Sequence, residues 1–196
     1  MRAPITQCFT TPLLFEFGSG FAYGAGLDLV GLMVARANNC TLKAYMLRHI
    51  LDVLGMDRNS ISGEVVDDAT AQPLDPQDEY GGAGLFSTAE DYLRLLKSLL
   101  RNDGKLLEMN GIDLNQTFSV PLYAAIMIPG DAPMGTPGAR KCTHTLGGLA
   151  AMEDDADGGL KAGTLRWGGA PHLKWWIDRA GGTCGMFAKE VVAMYA

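Results

Sequence analysis

Acyl chemistry at a serine needs a hydroxyl and a base that can take its proton, and on a helix that base must stand one turn away on the same face. Ser98-Leu99-Leu100-Arg101 has this spacing, but arginine stays protonated in proteins and cannot accept the proton. Cys40-Thr41-Leu42-Lys43 sets a thiol and an amine at the same separation. A reactive thiol needs an electropositive, partly exposed setting, and the simpler reading has Thr41 capping a helix with Lys43 in solvent. There is no G-x-S-x-G elbow. The run Glu153-Asp154-Asp155-Ala156-Asp157-Gly158 matches the opening of an EF-hand loop, yet its twelfth position is Thr164 rather than Glu. A solvated hairpin turn fits it better. His49 lies on an apolar helix stripe and reads as a core histidine. His144 and His172 have no Asp or Glu at ligand spacing. We therefore expect no metal and no cofactor.

The elements that would carry these residues follow from periodicity. Phe15 to Gly26, FEFGSGFAYGAG, mixes aromatics with glycines, as a loop does where backbone passes close to another group. A helix is predicted from Leu27 to Ala37, ended by Asn38-Asn39. Thr41 is the N-cap of the next, whose apolar face is Leu42, Tyr45, Met46, His49, Ile50 and Val53, with Gly55 closing it. Residues 57–84 are rich in Asp, Pro, Gly and Ser and read as a long irregular loop, of a length that is uncommon in a compact domain and often functional. Ser87-Thr88-Ala89-Glu90 matches a capping box with Ser87 as the cap, ahead of a helix whose buried stripe is Tyr92, Leu95, Leu96, Leu99 and Leu100. Ser98 would lie on that helix's surface, and Asn102-Asp103-Gly104 would stop it. After residue 110 short strands are predicted at Thr145 to Met152, Gly163 to Trp167, Leu173 to Asp178 and Thr183 to Ala188. Their short, turn-rich linkers imply an antiparallel meander. Helices first and a meander last make the fold class α+β.

The totals narrow the partners. With 47% hydrophobic and 19% charged residues the chain has the balance of a globular protein. Its net charge is −6 and its basic residues are scattered singly, which disfavours nucleic acid and anionic membranes. Cys8, Cys40, Cys142 and Cys184 form no C-x-x-C pair and read as buried, reduced thiols. No apolar h-region follows Met1-Arg2-Ala3-Pro4, and the longest apolar stretch, Leu27 to Ala37, is too short to span a bilayer. A soluble, cytoplasmic protein with a small-molecule partner is the expectation.

Three segments in order carry a family resemblance. Phe15 to Met56 (FEFGSGFAYGAGLDLVGLMVARANNCTLKAYMLRHILDVLGM), Tyr80 to Leu100 (YGGAGLFSTAEDYLRLLKSLL) and Leu165 to Phe187 (LRWGGAPHLKWWIDRAGGTCGMF) together resemble the serine β-lactamase-like family. That family includes class C β-lactamases, family VIII esterases and statin-type acyltransferases. The resemblance covers most of residues 12–188. It implies a partial β-lactamase/transpeptidase-like fold, one partial domain over residues 1–196 with a helical part at about 15–110 and a sheet part at about 140–190. It makes Tyr23 the family's proton-relaying tyrosine, with Ala25 where the Y-x-N motif has Asn. Trp167-Gly168-Gly169 falls where β-lactamases have K-T-G and where the esterases and acyltransferases tend to have W-G-G. An indole cannot supply the cation that a β-lactam carboxylate wants, so both departures imply esters or thioesters. The backbone N–H of Ala170 would give half of the oxyanion hole, and the Tyr80 to Leu85 loop would line the acyl pocket. Trp175 and Trp176 read as packing residues.

The same resemblance exposes a gap. The family's nucleophile is the serine of S-x-x-K, upstream of the tyrosine, and no lysine here has a serine three residues before it. The expectation is a piece of the domain, without the N-terminal strands and nucleophile helix and with an apolar sheet edge exposed. Such a chain would be inactive alone while its full-length parent acts as an esterase or acyltransferase. The alternatives are a non-catalytic binding protein that keeps the pocket, and a fragment completed by another chain or self-associated through the sheet edge.

Overall fold

The computed structural model describes residues 5–8, 12, 15–16, 24–57, 79–82, 85, 87–107, 142–155, 159–168 and 173–188. Two compact units emerge, one of Met1–Leu14 with Gly24–Tyr92 and the other of Phe15–Tyr23 with Leu93–Ala196. Among the described residues no helix is long and apolar enough to cross a membrane.

In the first unit, α1 (Ile5–Cys8) is followed by α2 (Gly26–Ala37). Asn38 ends α2 with its backbone and side-chain N–H groups on the Val34 carbonyl, and Asn39 turns left-handed at φ +49°. Thr41 caps α3 (Leu42–Met46) as expected, its Oγ1 accepting the Ala44 N–H at 3.0 Å. The chain then widens into a π-helical turn (Leu47–Leu51) before a last turn, α4 (Asp52–Leu54). Gly55 closes this run at φ +63°, and the Met56 N–H reaches the Leu51 carbonyl at 2.9 Å, a Schellman arrangement.

The π turn corrects the predicted stripe. A π turn acts as an inserted residue, so burial passes from Leu42 to Leu51, while His49 and Val53 face solvent. His49 is therefore not a core histidine. Its ring lies against Tyr45, centroids 4.4 Å apart.

Helix α5 (Ala89–Arg101) starts one residue later than the predicted capping box implies. Thr88, not Ser87, is the cap, its Oγ1 accepting the Asp91 N–H at 3.2 Å. Asp91 is buried and spends its carboxylate on the Asp57 N–H at 2.9 Å, which ties the end of the α3–α4 run to the start of α5.

In the second unit, β1 (Cys142–His144), β2 (Leu149–Ala151), β3 (Leu165–Gly168), β4 (Lys174–Asp178) and β5 (Thr183–Phe187) form an antiparallel meander in sequence order. Helices with an antiparallel sheet make the chain α+β. The long strand predicted from Thr145 is broken: Thr145-Leu146-Gly147-Gly148 is the β1–β2 turn. The Thr145 hydroxyl donates to the Gly148 carbonyl at 2.9 Å and accepts the Gly147 and Gly148 N–H groups. Strand β1 was not predicted. The sheet's core runs through Ala150, Leu165 and Ile177, adjacent in register, with Leu165 and Ile177 both 1% exposed. Trp176 lies over Gly185, where any Cβ would strike its ring, so this indole packs as expected. Arg179, after β4, donates from Nη2 to the Leu99 carbonyl of α5 at 3.1 Å.

Candidate active site

Of the residues assigned by resemblance, Tyr23, Gly169 and Ala170 lie outside the described residues, and so does His172. Trp167 and Gly168 end β3, opposite Trp175 and Lys174 of β4. Side chains alternate along a strand. Leu165 is buried against Ile177, which leaves Trp167 on the same face but toward the strand's end, half-buried. The His144 imidazole meets the Trp167 indole edge to face, centroids 5.6 Å apart and planes at 73°. Arg166, opposite Leu149 in register and alternating to the other face of β3 from Trp167, is buried, with Nη2 3.0 Å from the Cys142 Sγ. The strand end bearing Trp167-Gly168 thus has the His144 ring against its indole.

In the first unit the described part of the Tyr80 to Leu85 loop is held at its start. Glu79 Oε2 accepts the Lys43 N–H at 2.8 Å, in the first turn of α3. Asp28 Oδ1, on α2, accepts the Gly82 N–H at 2.8 Å. Gly81 between them lies against the Gly31 backbone. Sequence reading missed both carboxylates, because the N–H groups that donate to them lie 36 and 54 residues away and no local pattern marks such a pair.

The two decoys are occupied otherwise. Ser98 is buried rather than on the surface, and its hydroxyl donates to Asp103 Oδ1 at 2.8 Å. Lys43 is half-buried, its backbone N–H on Glu79, in the helix that Thr41 caps. Cys142 is buried, whereas the free thiols of Cys40 and Cys184 are only half-buried. Burial pushes the Cys184 thiol up, against the pull of Lys97 and Arg101, so it is held as the thiol rather than the thiolate. In the acidic run, Asp154 accepts Lys161 Nζ at 2.8 Å and the Ala162 N–H at 2.9 Å, closing the β2–β3 turn on itself. These bonds hold its carboxyl below the ordinary value. Among the described residues no group of three or more His, Cys, Asp or Glu side chains is placed to hold a metal ion.

Comparison with known proteins gives this arrangement its context. The family model described as Beta-lactamase matches residues 3–194. A lovastatin esterase from Penicillium rubens is 33% identical over 96% of the chain, which covers 55% of the esterase. A monacolin J acid methylbutanoyltransferase from Aspergillus terreus is 30% identical over 88% of the chain, which covers 49% of that protein. Among solved structures, unliganded simvastatin synthase from Aspergillus terreus aligns with a TM-score of 0.71 and 31% identity, over 92% of the chain and 51% of the synthase. The chain spans about half the length of the curated relatives it matches.

Proposed function

The chain belongs to the β-lactamase family, and from that premise we propose that it forms one half of the site of an esterase or acyltransferase working through an acyl-serine on esters or thioesters. The observation behind the reading is Trp167-Gly168 at the end of β3, where β-lactam-cleaving members of the family carry a lysine. A cation there would hold a substrate carboxylate. An indole with an imidazole at its edge offers an apolar wall instead, suited to an uncharged acyl group. Relatives named as a lovastatin esterase and a monacolin J acid methylbutanoyltransferase support the same substrate class.

In this reading a serine oxygen attacks the ester or thioester carbonyl carbon, and the carbonyl oxygen becomes an oxyanion held by the Ala170 N–H. The lysine one turn from the serine takes the hydroxyl proton, and Tyr23, between the two, relays it to the departing alkoxide or thiolate as the carbon–oxygen or carbon–sulfur bond breaks. Water or an alcohol then attacks the acyl-serine, with the proton moving back along the same path. Trp167, Gly168 and Gly169 flank the acyl group. The serine and its lysine are not among these 196 residues, so the chain by itself does not turn over esters.

A chromogenic ester and a fluorophosphonate serine probe test this directly. The isolated chain should give no burst and take no label. Stoichiometric labelling would place a nucleophilic serine within the 196 residues and overturn the reading.

A further inference from the structure

Trp167, the indole on which the proposed acyl wall depends, is only half-buried at the end of β3. A side chain so placed has several staggered rotamers open to it and offers a fixed surface only if a neighbour selects one. The β1–β2 turn supplies that neighbour. His144 is the last residue of β1. By register it belongs with Leu149 and Arg166, yet its ring meets the Trp167 indole edge to face, 5.6 Å between centroids. Gly147 and Gly148, which follow in the turn, have no side chains that could stand between the two rings.

The same turn reaches the second indole of the pair. Trp175 is the register partner of Trp167. Gly148 has φ +147°, and a Cβ there would stand 3.3 Å from Cη2 of Trp175 and 3.0 Å from the Arg166 carbonyl oxygen. Trp167 is thus met by His144 and Trp175 by the Gly148 backbone. The turn is itself held shut by Thr145, which is fully buried. Its N–H and its hydroxyl both donate to the Gly148 carbonyl, at 2.7 and 2.9 Å, and the hydroxyl accepts the Gly147 and Gly148 N–H groups. His144 therefore leaves a backbone with little freedom, as a residue that orients another must.

We infer that His144 is the positioning residue of this site: its ring holds the Trp167 indole in the orientation that walls off an uncharged acyl group. The inference rests on the proposed acyl-serine function and adds the residue that fixes its specificity. Edge-to-face pairing sets the positive edge of one ring on the negative face of the other. It needs an aromatic ring at position 144 but no charge.

The test follows the three indoles of the 196-residue chain by fluorine NMR of fluorotryptophan-labelled protein, with single Trp→Phe variants assigning the resonances. His144→Leu fills a similar volume without an aromatic edge and should move the Trp167 resonance toward that of free fluorotryptophan. His144→Phe restores a ring and should return it close to the parent position. In both variants Trp176, packed over Gly185, should stay in place, the sign that the sheet is intact. Methyl isobutyrate is then titrated as the uncharged probe and isobutyrate as the anion. The ester should shift the Trp167 resonance of the parent more than the anion does. Its affinity should fall roughly two- to tenfold in His144→Leu, the size of an edge-to-face pair, and recover in His144→Phe. A Trp167 resonance unmoved by His144→Leu, or moved equally by both substitutions, would overturn the positioning role and leave the acyl-serine reading standing. A Trp167 that responds to His144→Leu but to neither probe, or more to the anion, upholds His144 as the positioning residue and removes the neutral acyl wall from the proposed function.

Discussion

Gly81 and Gly31 meet backbone to backbone: a Cβ on Gly81 would lie 3.1 Å from the Gly31 Cα and would collide with the Leu27 carbonyl oxygen. The contact explains why glycine stands at both positions, since neither has a left-handed φ that would demand it. It also explains the two flanking carboxylates. Asp28 takes the Gly82 N–H and Glu79 takes the Lys43 N–H, each at 2.8 Å, so the segment 79–82 is fastened to α2 on one side and to α3 on the other. The Tyr80 to Leu85 loop therefore leaves a fixed anchor.

Gly81→Ala should be strongly destabilising. The obstacle is backbone, which cannot swing aside as a flexible side chain would, and overpacking of this kind costs about 1–3 kcal/mol. Gly26→Ala is the matched comparison, because a Cβ there meets nothing within 4 Å and alanine favours the helix by about 0.5–1 kcal/mol. Urea unfolding should move the two midpoints in opposite directions. An unchanged midpoint for Gly81→Ala would mean that the backbones do not approach so closely.

Glu79→Ala should release the first turn of α3. Thr41 satisfies the Ala44 N–H, but the Lys43 N–H depends on Glu79, and loss of a capping acceptor costs about 1 kcal/mol. Glu79→Gln keeps a carbonyl oxygen in reach and should lose less. Amide hydrogen exchange at Lys43 reads this locally: faster in the alanine variant, near the parent rate in the glutamine variant. Equal exchange in all three would dissociate Glu79 from the cap.

These anchors mark where sequence reading stops. Signals within a few residues were legible: Asn38-Asn39 after α2, Thr41 before α3, Gly55 after α4, and strands β3 to β5 between their turns. The site strand was legible too, because Trp167-Gly168 stands inside a clear strand pattern and ends β3. Misreadings arose where two local solutions compete. Ser87 and Thr88 can each cap a helix, and Thr88 takes the role by accepting the Asp91 N–H. The π turn displaced His49 and Val53 from the stripe through a single extra residue per turn. Strand β1 has three residues, too few for alternation to register, although Gly147-Gly148 was a hairpin signal. Glu79 and Asp28 were illegible in principle, since their partners are remote in sequence.

The alkaline limb of stability should belong in part to Tyr92. Burial pushes its phenol from the ordinary 10.0 up to about 12. In the unfolded chain it ionises near pH 10, in the folded chain only near 12. The unfolded state therefore releases its proton first, and stability present below pH 10 is lost as pH rises through 12. Tyr92→Phe keeps the ring and removes the ionisation, so between pH 8 and pH 11 its urea midpoint should fall less than the parent's. Parallel declines would show that the phenol titrates normally in the folded protein.

Tyr23→Phe separates the two roles open to this aromatic. Phenylalanine preserves the ring, so if Tyr23 only packs, both stability and turnover of a completed, active domain should be nearly unchanged. If the phenol relays the proton between nucleophile and leaving group, turnover should fall by about two to four orders of magnitude, the usual contribution of a positioned proton-transfer group, while the urea midpoint stays close to the parent's. The loss should appear in kcat and in kcat/KM alike, because the proton moves only in the transition state and ground-state binding is untouched. Thioester substrates sharpen the test. A thiolate leaves without needing a proton as urgently as an alkoxide does, since a thiol ionises near pH 8.5. The acylation defect should thus be smaller for a thioester than for the matching ester when acylation limits the rate. Equal defects for both leaving groups would confine Tyr23 to deprotonating the nucleophile, and an unchanged rate would remove it from the chemistry.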